Sequence, residues 1–306
     1  CWEGVYKADH FGCVCPQTEH EPDSFYGKEF YLDPEFGMKQ SEDCLYLNIW
    51  TPANTVDEKL PVAFWIHGGA FMHGFSHESE FDGAAYCERG VILVTINYRL
   101  GAFGFLAHPW LSEESGVGRS GNYAILDQIA ALKWVKENIA AFGGDPENIT
   151  VFGQSAGCMS VQTLVSSPLT ENWISKAIFQ SAGGYDTGLN RDMPLSEAET
   201  IGQEFVELSG AKSLEELRAI PAEQIVELQE EFGRVNPSRM LSFVPNIDDY
   251  LLTCGYNEAV TERKIKDIPY MLGSTADDIG VFPEMKEKGE HGGIYKGCIN
   301  WSLALE

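Results

Sequence analysis

Apolar residues along the chain gather first into short β-branched or aromatic runs: Leu45–Trp50, Pro61–Ile66, Val91–Asn97, Ile149–Phe152, Ala177–Gln180 and Ile268–Leu272. Each is punctuated by Gly, Pro or Asn, the pattern of buried strands. Between the third and fourth runs the period changes. Ile125, Ile129, Leu132, Val135, Ile139 and Phe142 keep helical spacing from Asn122 until Gly143-Gly144 stops it. A helix joining two strands implies that the strands pair in parallel. From Ser196 to Phe232 the pattern turns to charged amphipathic helices, with capping boxes expected at Ser196…Glu199 and Ser213…Glu216. The pattern predicts one α/β domain over residues 1–306, with helices on both faces of a mostly parallel sheet. A helical insertion at 196–266 would precede the sixth strand.

Composition narrows the classes of function. The chain has 306 residues, 44% of them hydrophobic, enough to fill a sizeable core. A formal charge of -25 repels phosphate backbones and anionic bilayers, so neither nucleic acid nor membrane is expected as a partner. No apolar run approaches the roughly 18 residues that cross a bilayer. The chain opens on Cys1-Trp2-Glu3-Gly4, and helix-forming residues run to Glu306 without a stop signal. Both ends are therefore expected to lie inside a longer polypeptide. Eight cysteines without metal spacing form neither a small secreted framework nor a zinc site. That gives a slight preference for the cytoplasm and leaves the compartment open.

The chemistry centres on Gly153-Gln154-Ser155-Ala156-Gly157, a GxSxG sequence entered by a strand and left by a helix-like stretch from Ala156 to Val165. Such a sharp turn needs glycines on either side of the serine, because a Cβ there would collide where strand and helix pack. A serine that attacks an ester generates an oxyanion, and each preorganised donor to it is worth about 3–4 kcal/mol. The Ala156 N–H is one candidate donor. Gly68 and Gly69, in His67-Gly68-Gly69-Ala70 after the second strand run, supply the others. His67 is expected to shape that loop, whereas His10, His20 and His108 read as surface or packing residues. His73…His77 makes a poor metal pair, and no cofactor or metal is implied.

With these motifs the sequence resembles the type-B carboxylesterase and cholinesterase family. The likeness runs through Trp2-x-Gly4-Val5, Cys15-Pro16-Gln17, Glu42-Asp43-Cys44-Leu45-Tyr46-Leu47-Asn48, Asn97-Tyr98-Arg99-Leu100-Gly101, Gly121-Asn122, Asp127-Gln128 and Phe142-Gly143-Gly144-Asp145-Pro146. The resemblance implies the α/β-hydrolase fold and a serine carboxylesterase acting on a small-molecule ester. It also implies that Cys15 pairs with Cys44, with Cys13 as a competing partner; the bridge would close a loop of about 30 residues and stabilise by roughly 3–4 kcal/mol. That loop holds Phe25, Tyr26, Phe30, Tyr31 and Phe36 but no Trp, which argues against a choline-binding member.

The catalytic acid implied by the family pattern is Asp278, in Gly273-Ser274-Thr275-Ala276-Asp277-Asp278, with Asp277 as rival. Asp stands where the pattern has Glu. The only histidine after it is His291, too close to accommodate a further strand and helix, so the base is expected beyond Glu306 and the fragment alone should turn over poorly. Asp248-Asp249 resembles a structural family segment. Glu42 is expected as a buried carboxylate lacking its arginine. A non-catalytic adhesion protein, and a lipase or peptidase on the same fold, are the alternatives. Oligomeric state stays open.

Overall fold

A computed structural model describes residues 7–20, 23–24, 27, 38–181 and 192–275. Asp277, Asp278, His291 and the aromatics at 25, 26, 30, 31 and 36 lie outside the described residues. Among the described residues six strands form one sheet: β1 (Leu47–Trp50), β2 (Leu60–Ile66), β3 (Ile92–Ile96), β4 (Gly144–Gln154), β5 (Lys176–Gln180) and β6 (Tyr270–Gly273). Their spatial order is β1-β3-β2-β4-β5-β6. β1 pairs with β3 antiparallel, and every other pairing is parallel. All six strand runs expected from the sequence are present, within a few residues of their predicted ends.

The strands at the centre are buried because both faces are covered. In β2 the run Val62 to Ile66 is buried throughout, and β3 is buried over its whole length. Such strands read as continuous apolar runs rather than alternations. The helices lying wholly within the described residues are, in chain order, α1 (Ala84–Cys87), α2 (Gly101–Phe105), α3 (Pro109–Glu114), α4 (Tyr123–Asn138), α5 (Ala156–Ser166), α6 (Leu195–Ser209), α7 (Leu214–Arg218), α8 (Ala222–Val235) and α9 (Tyr256–Thr261). The expected helix ahead of β4 is α4 followed by a 3-10 turn, Ile139–Phe142, and it ends where Gly143 takes the left-handed conformation at φ 81°.

Between β5 and β6 the described chain is helical, from α6 to α9. Ser213 caps α7 through its side chain, which accepts from the Glu216 N–H at 3.2 Å, while a Glu216 carboxylate oxygen takes the Lys212 N–H at 2.7 Å. The other expected box is absent. Pro194 occupies the N-cap of α6 without a side-chain bond, so Ser196 lies inside the first turn. Glu42 also departs from expectation: it is exposed and bears no burial cost. No helix among the described residues is long and apolar enough to cross a membrane.

The ordered sequence motifs are explained by the pins they form. Arg99 makes a two-pronged ion pair with buried Asp127, at 2.8 and 2.7 Å, and lies over the Tyr123 ring. Asn97 donates to the carbonyls of Cys13 and Cys44, and accepts from the Ser76 N–H. Asn122 donates to Asp248, whose other oxygen collects the N–H groups of Tyr250, Leu251 and Leu252. Asp248 thus organises a turn. The connections join the sheet, α4 and the helical region into the scaffold that carries the site.

Candidate active site

Ser155 sits at the end of β4 and is the N-cap of α5, with φ 54° and ψ -123°. A non-glycine residue in this region is strained by about 1–3 kcal/mol, and such strain persists only where surroundings enforce it. The surroundings are tight. A Cβ on Gly157 would meet the Ile66 carbonyl oxygen at 2.1 Å, and one on Gly153 would meet the Gly157 carbonyl carbon at 2.5 Å. Absence of those two carbons lets α5 start directly against the end of β2. The Ser155 N–H is held by the Gln180 carbonyl at 3.0 Å, and the Ser155 carbonyl opens the helix by accepting from Met159 at 3.1 Å. Ser155 is left partly exposed at the bend.

The loop after β2 lies against this serine. A Cβ built on Gly68 would stand 3.2 Å from the Ser155 Cβ and 2.8 Å from the Gln154 carbonyl oxygen. Any other residue at 68 would crowd the nucleophile. Gly69 has φ +99°, and its carbonyl accepts from both Met72 and His73 at 2.9 Å. Ala70 and Phe71 follow with φ 56° and 61°. The loop is thus a run of left-handed residues folded around one carbonyl. At the start of α5 the Ala156 N–H belongs to the first turn, where amides have no partner within the helix and carry the positive end of its dipole.

His67 is a structural element of this loop. It is 1% exposed, stacks on Tyr98 with ring centroids 4.4 Å apart, and its carbonyl accepts from the Tyr98 hydroxyl at 2.9 Å. Its Nδ1 lies 2.9 Å from the Gly68 carbonyl oxygen, which makes Nδ1–H the neutral tautomer's donor. Nε2 is buried without a hydrogen-bond partner among the described residues. Burial therefore pushes the imidazole down to about 4, because a proton on Nε2 would have no acceptor. Such a ring is a poor general base near neutrality.

The other predicted residues distribute as follows. Cys15 and Cys44 are both buried and side by side as free thiols: the Cys15 thiol donates to Cys44 and is pushed well up, while the Cys44 thiol is lowered by that hydrogen bond. Cys13 is a half-buried free thiol. His108 caps α3 by accepting the Trp110 N–H, so it is a packing residue, and His10 is exposed beside Asp9. His73 lies next to His20, with ring centroids 5.1 Å apart, and His77 stacks on Phe11. Among the described residues no group of three or more His, Cys, Asp or Glu side chains is placed to hold a metal. Sequence reasoning quoted Gln17 only as part of the Cys15-Pro16-Gln17 motif and passed over Gln229; both are buried glutamines that bond to the backbone near this loop. Their contacts span 57 and 127 residues, so no local pattern could reveal what they bond to.

Known proteins share both the sequence and the architecture. Residues 1–294 match the family described as the carboxylesterase family. Para-nitrobenzyl esterase of Bacillus subtilis is 38% identical over 282 residues, which is 90% of this chain and 54% of that protein. Fumonisin B1 esterase of Sphingopyxis macrogoltabida is 41% identical over 287 residues, 92% of this chain and 49% of that protein. A solved thermophilic para-nitrobenzyl esterase superposes with a TM-score of 0.78 at 37% identity, covering 90% of this chain and 54% of that one. A carboxylesterase of Geobacillus stearothermophilus superposes at 0.76, with 37% identity over 94% of this chain and 55% of that one. The chain thus spans about half the length of these relatives. With its mostly parallel sheet, its strained serine turn and these matches, the chain belongs to the carboxylesterase family of the α/β-hydrolase fold.

Proposed function

We propose that the protein of which this chain is part hydrolyses carboxylic esters of small molecules through a covalent acyl-serine intermediate. Ser155 Oγ attacks the ester carbonyl, its proton passes to a histidine base, and the carbonyl oxygen becomes an oxyanion. The N–H groups of Gly68, Gly69 and Ala156 receive that charge. The tetrahedral intermediate collapses by expelling the alcohol, which takes the proton from the base. Water, activated by the same base, then releases the carboxylic acid and restores the serine. Asp278, with Asp277 as rival, would orient the base. His67 is not that base, since it is enclosed and donates through Nδ1 to the loop it supports.

One observation carries the reading: Gly68 packs against a serine held at φ 54° on a bend between strand and helix. The relatives' names, para-nitrobenzyl esterase and fumonisin B1 esterase, support a small-molecule ester as the substrate. The test uses the protein expressed from its complete reading frame. A fluorophosphonate should label Ser155 stoichiometrically and stop hydrolysis of an activated aryl ester. Ser155→Ala should abolish labelling and lower kcat by about 10⁶. A Ser155→Ala protein that still turned over aryl ester at the parental rate would overturn the assignment.

A further inference from the structure

We propose that Gln17 is a positioning residue for the oxyanion-binding loop, clamping Gly74 so that the Gly68–Gly69 peptide keeps its orientation toward Ser155. The inference rests on the esterase reading above. Gln17 is 5% exposed, and its side-chain amide grips Gly74 from both sides. Oε1 accepts the Gly74 N–H at 2.8 Å, while Nε2 donates to the Gly74 carbonyl at 3.1 Å and to the Cys15 carbonyl at 3.2 Å. The Gln17 backbone N–H is itself fixed by Gln40 Oε1 at 2.8 Å. The side chain thus imitates a strand pairing at a residue where no strand runs.

Gly74 transmits this grip to the site. It has φ +100°, and a Cβ on it would lie 2.5 Å from His67 Nδ1 and 2.9 Å from the Gly68 carbonyl oxygen. That carbonyl is one end of the peptide whose other end is the Gly69 N–H. Because the peptide is planar, fixing the direction of the C=O fixes the direction of the N–H. The loop needs such an anchor: Ala70 and Phe71 hold strained left-handed conformations that relax unless the surroundings enforce them. At its middle the loop is tied by the Gly101 N–H to the Phe71 carbonyl at 2.7 Å. At its far end the tie is Gln17.

The experiment replaces Gln17 by methionine, which keeps the volume and removes every hydrogen bond of the amide, in the complete protein. Active sites are counted by fluorophosphonate titration, so unfolded protein drops out of the rate. Misplaced oxyanion donors act only in the transition state, so kcat per titrated site should fall about tenfold while KM changes less than about twofold. The inhibition constant of a trifluoromethyl ketone, which mimics the tetrahedral adduct, should rise by the same factor as kcat falls. Unchanged kcat per site in Gln17→Met overturns the positioning role. The esterase reading stands or falls separately, on Ser155→Ala. Should Gln17→Met not fold, amide exchange in the parental protein decides: a Gly74 N–H protected like those of β2 and β3 supports the clamp, and exchange at the rate of an exposed loop refutes it.

Discussion

The two sides of the molecule are held by different means. Around Ser155 the backbone constrains itself: glycines at 68, 153 and 157 permit contacts that any Cβ would forbid, and the strained residues are fixed mainly through main-chain carbonyls and amides. In the helical region between β5 and β6, side chains make many of the attachments, beside backbone contacts such as that of Gly202 on the Ala107 carbonyl. Glu199 accepts from Ser112 at 2.5 Å, Gln229 Oε1 accepts the Ala102 N–H at 2.6 Å, and Arg239 forks onto Glu204 at 2.8 Å. The first arrangement tolerates almost no change, because the atoms in contact cannot move without moving a strand. The second can lose one pin and keep the rest. The contrast assigns precision to the sheet end that carries the chemistry and adaptability to the helices around it.

A pair of glycines tests this division with the largest expected effect. Gly157 touches the Ile66 carbonyl, and Gly202, in α6, comes as close to the Ala107 carbonyl, where a Cβ would stand 1.7 Å away. Changing either to Ala forces backbone apart and should cost about 3 kcal/mol in urea unfolding. Only Gly157→Ala should also eliminate fluorophosphonate labelling at temperatures where the protein is still folded. If Gly202→Ala loses labelling equally, the two regions do not differ as stated.

Acid stability separates them next. His67 has an ordinary value of 6.5 unfolded and about 4 folded, so the unfolded chain binds more protons between those limits. The contribution of this residue is fully present above pH 6.5 and is lost as pH falls toward 4, by at most about 3 kcal/mol. Many carboxylates titrate in the same range, so the measurement is the difference between parental protein and His67→Gln in unfolding free energy at pH 7 and pH 4.5. The parental protein should lose more stability than the variant on acidification. Equal losses would mean that the imidazole accepts a proton in the folded state as readily as in the unfolded one.

What was legible in the sequence follows the same line. The strands were readable because a buried parallel sheet needs uninterrupted β-branched and aromatic runs, such as Val62 to Ile66. The serine turn and the glycine loop were readable because steric exclusion leaves only glycine at 68, 153 and 157. Long-range side-chain ties were not readable. Gln17, although part of a motif, and Gln229 show nothing of their role until folding brings them to amides far along the chain. Ser196 and Glu199 had the spacing of a capping box, yet Pro194 starts the helix and Glu199 turns to Ser112 instead. Glu42 was expected to be buried by analogy with a pattern, and exposure is a property of what packs around a residue. The acid and base of the reaction have no such local steric signature, which is why Asp278 rests on resemblance alone.

The smallest effect belongs to the helical region, at the cap of α7. Ser213 accepts the Glu216 N–H, one of the free amides of the first turn, and Glu216 returns a bond to the Lys212 N–H just ahead of the cap. Ser213→Ala removes the first of these bonds and should lower stability by about 1 kcal/mol. Because the group lies at an exposed helix start, water replaces the lost acceptor and no strand has to move. Fluorophosphonate labelling of Ser155 should therefore proceed at the parental rate at 25 °C, with only the unfolding midpoint reduced. A Ser213→Ala protein whose labelling slowed tenfold while its midpoint hardly changed would show that the helical region is coupled to the nucleophile as rigidly as the sheet is.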